Sequence, residues 1–132
     1  MSGSTLNREA VEARITKAEN EGFEVIQTSP KTLLLDLDTP EAESTFEERI
    51  SAVEEYCTIH YYETWNSKSG NKHVQVFLYN DLDPVARYAL QLFIGSDPTK
   101  EYLFIVANSH FNNPDCSLLF RPKGAKVTKV YI

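Results

Sequence analysis

Residues 31–38 read Lys-Thr-Leu-Leu-Leu-Asp-Leu-Asp, following a Ser29-Pro30 turn. This run constrains the fold more than any other feature of the chain. Its apolar residues do not alternate with polar ones, so it reads as a central strand buried on both faces. A strand covered on both sides needs other elements to supply the cover, which makes the chain a layered α+β domain. At 132 residues there is room for one such domain, with no second. With 42% hydrophobic and 24% charged residues it lies near the globular average and far from the disordered or fibrous classes.

The remaining elements follow from periodicity and punctuation. Leu6, Ala10, Ala13 and Ala18 give an N-terminal helix from about Asn7, stopped by Gly22. Phe23-Glu-Val-Ile is a strand that can form a hairpin with the 31–38 run. Thr39-Pro40 offers an N-cap with Pro at N1, and Ser44-Thr-Phe-Glu47 matches a capping box. A helix starts at one of these and reaches about Tyr56, burying Phe46, Ile50, Val53 and Cys57. Residues 58–65 and 72–79 form a hairpin around Asn66-Ser-Lys-Ser-Gly-Asn71, and Asp83-Pro84 caps a helix that ends at Gly95. Tyr102–Val106 and Ser117–Phe120 read as further strands, with Asp97-Pro98 able to cap a short helix first. The predicted order is a split β-α-β-β-α-β sheet, ferredoxin-like or RNA-recognition-motif-like, with helices on one face. The expected layout is a single domain over 1–132: an N-terminal helix at 1–22, an α+β core at 23–120 and a basic tail at 121–132.

The formal net charge of −6 argues against a protein that coats duplex DNA by bulk attraction. From Arg121 onward, however, the tail holds Arg121, Lys123, Lys126 and Lys129 and no acid. An acidic body beside a basic tail suits an enzyme that needs acids for metal and bases for phosphate; a solvated basic strand has the same composition. No apolar run approaches a membrane span, and Met1-Ser-Gly-Ser-Thr-Leu-Asn-Arg contains no signal-like stretch, so a cytoplasmic protein without membrane partners is expected. Cys57 and Cys116 lack the spacing of a zinc site and read as reduced thiols.

Two features carry chemistry. Asp36 and Asp38, spaced i, i+2 on a strand, point to one face, and carboxylates held that close call for a hard cation such as Mg²⁺ or Mn²⁺. The alternative is a strand that frays at Leu37, with Asp38 helping to cap the next helix. The second is the polar loop Ser67-Lys68-Ser69-Gly70-Asn71, which runs into Lys72-His73-Val74. Such a loop can bring backbone N–H groups and a base to phosphate oxygens while the strand fixes the imidazole; a plain hairpin turn is the competing reading.

An apolar strand ending Asp36-Leu37-Asp38, followed later by Ser69-Gly70-x-x-His73, resembles the first two motifs of the archaeo-eukaryotic primase (primase-polymerase) superfamily, in the form of a minimal phage-type catalytic core. The resemblance spans roughly Thr32 to Lys123. It implies a metal-dependent nucleotidyltransferase of DNA replication, with Mg²⁺ or Mn²⁺ on Asp36 and Asp38 in a two-metal transfer. Ser69, Gly70, Lys72 and His73 would steady the triphosphate. A third acid of that pattern falls by order on Asp97, with Lys100 available for phosphate and Asp115 as the substitute; Asp97-Pro98 also reads as an ordinary helix start. A single-stranded or primed DNA template would then meet Arg121, Lys123 and exposed aromatics such as Tyr61, Tyr62 and Trp65. Replisome proteins are the other expected partners, in the host cytoplasm if the protein is phage-encoded.

Two further readings compete. Lys72-His73-Val74-Gln75 resembles the His-hydrophobe-Gln motif of rolling-circle (HUH-like) nicking endonucleases, which would make Tyr88 the nucleophile, with Gln91 where a lysine usually follows. A non-catalytic module that binds single-stranded nucleic acid or a replisome partner through its sheet is the other.

Overall fold

A computed structural model describes residues 8–110, 112–113 and 117–132. Among them the chain forms α1 (Arg8–Asn20), β1 (Phe23–Gln27), β2 (Thr32–Leu37), α2 (Pro40–Arg49), a 3₁₀ segment (Ile50–Glu55), β3 (Ile59–Asn66), β4 (Lys72–Leu78), α3 (Pro84–Phe93), α4 (Pro98–His110), β5 (Leu118–Pro122) and β6 (Thr128–Tyr131). This is an α+β fold with two antiparallel sheets, a four-stranded one of order β2-β4-β3-β6 and a two-stranded β1-β5 pair. Among the described residues no helix is long and apolar enough to cross a membrane.

The Leu33–Leu37 run is buried on both faces, as its composition requires. Leu33, Leu35 and Leu37 pack with Val74, Val76, Phe46, Ile50, Val53 and Tyr62 in the main core, between the sheet and α2. Leu34 turns the other way and packs with Trp65 and Leu119. A third cluster joins Val11 of α1 to Tyr88, Phe104, Ala107 and Leu118. The α2 start at Pro40 follows the expected chemistry, with the Thr39 hydroxyl accepting the Ala42 N–H at 3.0 Å. The Asp83 carboxylate does the same for Ala86 at the start of α3.

Three expectations need correction. β1 and β2 do not form a hairpin: β1 pairs with β5, and β2 with β4. The chain changes sheets at Thr28-Ser29, where the buried Arg87 guanidinium of α3 donates to Thr28 Oγ1 at 2.7 Å and to the Ser29 carbonyl at 3.0 Å. Tyr102–Val106 is not a strand but the middle of α4. Glu101, Phe104 and Ala107 are its buried residues, a helical spacing that overrides the local β-propensity. The basic tail is woven into both sheets, since β5 runs to Pro122 and β6 lines the β3 edge.

The outer edge of β2 is closed by side chains and not by a strand. Leu34 N–H donates to Gln91 Oε1 at 2.9 Å and Asp36 N–H to Ser96 Oγ at 3.1 Å, while Asp97 N–H reaches the Asp36 carbonyl at 3.0 Å. The α3–α4 junction therefore occupies the place where β5 would extend the four-stranded sheet. Gly95 makes the close approach: its φ is +108°, and a Cβ there would lie 2.8 Å from the Ala42 carbonyl oxygen.

Candidate functional site

Asp36 and His73 are directly paired across β2 and β4, so alternation puts both side chains on the sheet face opposite α2. His73 Nε2 lies 3.5 Å from Asp36 Oδ1, an ion-pair distance when the imidazole is protonated and too long for a well-formed hydrogen bond. Trp65, paired with His73 on β3, presents its ring edge-on to the imidazole at 5.9 Å. Asp36 Oδ1 and His73 Nδ1 are buried and have no hydrogen-bond partner within the protein.

These two side chains open into a cavity of about 370 Å³. Its other walls are Arg14 of α1, Asp97, and Thr99, Lys100, Leu103 and Phe104 of α4, with Leu118–Phe120 of β5 completing the lining. Asp36, His73, Asp97 and Lys100, drawn from three separate stretches of sequence, thus meet at one place. An adjoining cavity, also about 370 Å³, shares Asp36, His73 and Phe120 and extends to Ser67, Lys68, Ser69 and Asn71 of the β3–β4 loop. Thr99 and Lys100 in the first turn of α4 line the first cavity, at the helix end whose dipole favours an anion.

The electrostatics follow from this crowding. Burial pushes the Asp36 carboxyl up, but the neighbouring His73 ring and the Lys100 charge outweigh it and hold the carboxyl below its usual value. Burial lowers Lys100, opposed first by the charge of Asp36 and then by Glu101. The site therefore sets two carboxylates, Asp36 and Asp97, beside the Lys100 and Arg14 charges.

Behind the cavity lies a polar network that sequence reasoning missed. Glu101 is 0% exposed; Gln91 Nε2 donates to its Oε1 at 2.5 Å and Ser96 Oγ to its Oε2 at 2.7 Å. Through Gln91 and Ser96 one buried carboxyl fixes the β2 edge that carries Asp36. Burial raises the Glu101 pKa to about 7, against the hydrogen bonds from Ser96 and Gln91 and the charge of Lys100. The folded protein then holds this proton more tightly than the unfolded chain, whose carboxyl titrates near 4.5. Stability contributed by the protonated form is full below about pH 4.5 and is lost as pH rises through about 7, a fall of about 3 kcal/mol by linkage. Urea unfolding between pH 5 and 8 should record that decline in the wild type and a flatter profile in Glu101→Gln; parallel profiles would sink it.

Several expected residues lie elsewhere. Lys72 alternates away from His73, and its Nζ sits 3.7 Å from Glu43 of α2, so it does not reach the site. Trp65 is 2% exposed, its indole N–H donating to the Phe120 carbonyl at 3.3 Å, and Tyr62 is in the core; neither is the exposed stacking ring expected. Arg121 stacks 4.4 Å over Trp65 and lies 3.6 Å from Glu24, so it is spent internally, whereas Lys123 is exposed beside Lys68 on a neighbouring depression. Gly70 has φ +95° and donates its N–H to the Ser67 carbonyl at 2.9 Å, serving the turn; Ser69 lines the second cavity. Asp38 is exposed, beyond the end of β2, and lines neither cavity. Tyr88 is 0% exposed against Phe104, which denies it the access a nicking nucleophile needs. Asp115 and Cys116 lie outside the described residues, while Cys57 is a buried free thiol.

Arg14 and Thr99 join the site without having been singled out from the sequence. Arg14 gave no signal beyond a charged position on a weakly amphipathic helix. Among the described residues no group of three or more His, Cys, Asp or Glu side chains is poised to hold a metal. The carboxylates lining the cavity are Asp36, whose Oδ1 lies against His73, and Asp97; these are the residues that could hold a divalent cation. No protein-family model, curated protein or solved structure matches this chain.

Proposed function

We propose that the Asp36–His73 cavity binds a nucleoside triphosphate with a divalent cation and supports nucleotidyl transfer of the primase-polymerase type. The observation that carries this reading is the convergence of Asp36, His73, Asp97 and Lys100 on one cavity that adjoins the Ser67–Ser69 loop. The sheet beneath is compatible with a split β-α-β arrangement, since β4 is inserted between β2 and β3. Lys100, Arg14 and the first turn of α4 would receive phosphate oxygens, and His73 would orient one of them from beside Asp36. Phe120 and Phe104 give the cavity apolar walls against which a sugar or base can lie. Asp36 and Asp97 would hold Mg²⁺ or Mn²⁺. When bound, that cation would neutralise phosphate charge and lower the barrier to attack at phosphorus.

Calorimetric titration of a nucleoside triphosphate, with and without Mn²⁺, tests this. Saturable binding that tightens with Mn²⁺ is expected in the wild type, and Asp36→Asn/Asp97→Asn should lose the Mn²⁺ effect while staying folded by circular dichroism. Absence of binding in the wild type would leave a non-catalytic binding module as the better account, and a double variant that still responds to Mn²⁺ would remove these two carboxylates from the site.

A further inference from the structure

The register between β3 and β4 slips at His60: Ile59 faces Leu78, and the next pair is Tyr61 with Phe77. One extra residue is thus accommodated on β3, the geometry of a β-bulge, a device that re-aims a side chain. Here it turns His60 into a group of rings. His60 lies 4.7 Å from both Tyr61 and Tyr79 and 6.2 Å from Tyr131, measured between centroids. Tyr61 stacks on Phe77 at 4.5 Å with 23° between planes and lies 5.6 Å from Tyr131. Lys129 Nζ sits 4.2 Å over Tyr61 and 5.7 Å from Tyr131.

This patch belongs to none of the three cores, and it is open to solvent. Tyr79 is 59% and Tyr131 64% exposed, and His60 and Lys129 are exposed as well. Five rings gathered at a surface, apart from the interior, mark an interaction site. Their chemistry selects the partner. Planar rings with polar rims and an ammonium among them match flat bases joined by phosphates. The charge at the patch is the Lys129 ammonium, held over Tyr61 and opposite Glu63 of β3.

We infer that the sheet face around Tyr61, Tyr79 and Tyr131 binds unpaired nucleic acid by base stacking, with His60 adding a further ring and Lys129 a cationic contact. The inference takes its ligand class from the nucleotidyl-transfer reading, but the surface works whether or not the cavity is catalytic. Alternation places Tyr61 and Phe77 on the same sheet face as Trp65 and His73, four residues along each strand, or roughly 13 Å away. A strand stacked here would lead toward the cavity.

Fluorescence anisotropy with labelled oligothymidylate, oligouridylate and a duplex of equal length decides the matter. Saturable binding of one or both single strands, weaker for the duplex and weakening with salt, is expected. The two single-stranded arms distinguish DNA from RNA. Tyr79→Ser/Tyr131→Ser alters only exposed rings and should weaken single-strand binding about tenfold or more. Nucleoside triphosphate binding in the same variant should be unchanged, which separates failure of this surface from failure of the cavity. No saturable binding by the wild type, or equal binding by the variant, would overturn the inference. Self-association in analytical ultracentrifugation, abolished by the variant and without oligonucleotide binding, would reassign the face to a second copy of the chain.

Discussion

Replacing Gln91 by Leu is expected to lower the unfolding free energy by about 3–5 kcal/mol at pH 8 and by clearly less at pH 5. Gln91 is 0% exposed, and its amide serves two groups that have no access to water. Its Oε1 accepts the Leu34 N–H, and its Nε2 donates to Glu101 Oε1. Leucine of similar volume fills the space but satisfies neither. The stranded Leu34 N–H costs roughly 1–3 kcal/mol, and a buried carboxylate deprived of a donor costs more. The second cost depends on pH. Glu101 titrates near 7, so at pH 5 it is protonated and loses less when its partner goes. Urea denaturation of wild type and variant at both pH values measures the difference. A loss under about 1 kcal/mol at pH 8 would mean that the network is not what closes the β2 edge.

The same network explains which parts of the fold were legible beforehand. The buried β2 run, the Thr39 and Asp83 caps and the β3–β4 hairpin all appear where residue type and spacing place them, because each is decided by local chemistry. What failed was long-range. Phe23–Ile26 and residues 31–38 look like hairpin partners to any argument from adjacency, and the Arg87 clamp on Thr28 and Ser29, 58 or 59 residues away, sends them to different sheets. Tyr102–Val106 has the composition of a strand. Its helical state is set by the start at Pro98 and by burial of Glu101, Phe104 and Ala107, a spacing that was present in the sequence but masked by the exposed Tyr102, Leu103, Ile105 and Val106.

For the site, alternation was the reliable guide and proximity in sequence was not. Asp36 and His73 meet because they are register partners, whereas Lys72, one residue from His73, faces α2. Asp38 satisfies the i, i+2 rule, yet the strand ends at Leu37 and the rule ends with it. Asp97 immediately precedes the α4 start and lines the cavity. Glu101 carried no motif at all. Only the tertiary packing of α4 against the β2 edge gives it a role, so no inspection of short patterns would have found it.

Lys100 lines the cavity and Lys72 pairs with Glu43 on the other sheet face, and that difference supplies the sharpest test of the cavity. Lys100→Met is expected to weaken nucleoside triphosphate binding by about tenfold to a hundredfold, the worth of one charge-assisted contact to phosphate in a sheltered site. Methionine keeps the length and apolar stem that pack near Phe104, whose ring lies 5.5 Å from Lys100 Nζ, so the loss isolates the charge. Burial depresses the Lys100 ammonium, and the negative charge of a bound phosphate favours its protonated form, so binding and protonation reinforce each other. The loss should appear with and without Mn²⁺, unlike that of the carboxylate variant. Lys72→Met, whose charge pairs with Glu43 on the far side of the sheet, should bind within about twofold of wild type, a difference of about 0.4 kcal/mol. Calorimetry on both variants decides the case. Equal losses would indicate a diffuse charge effect, and an unaffected Lys100→Met would remove Lys100 as a phosphate contact and leave Arg14 as the cavity's basic side chain to test next.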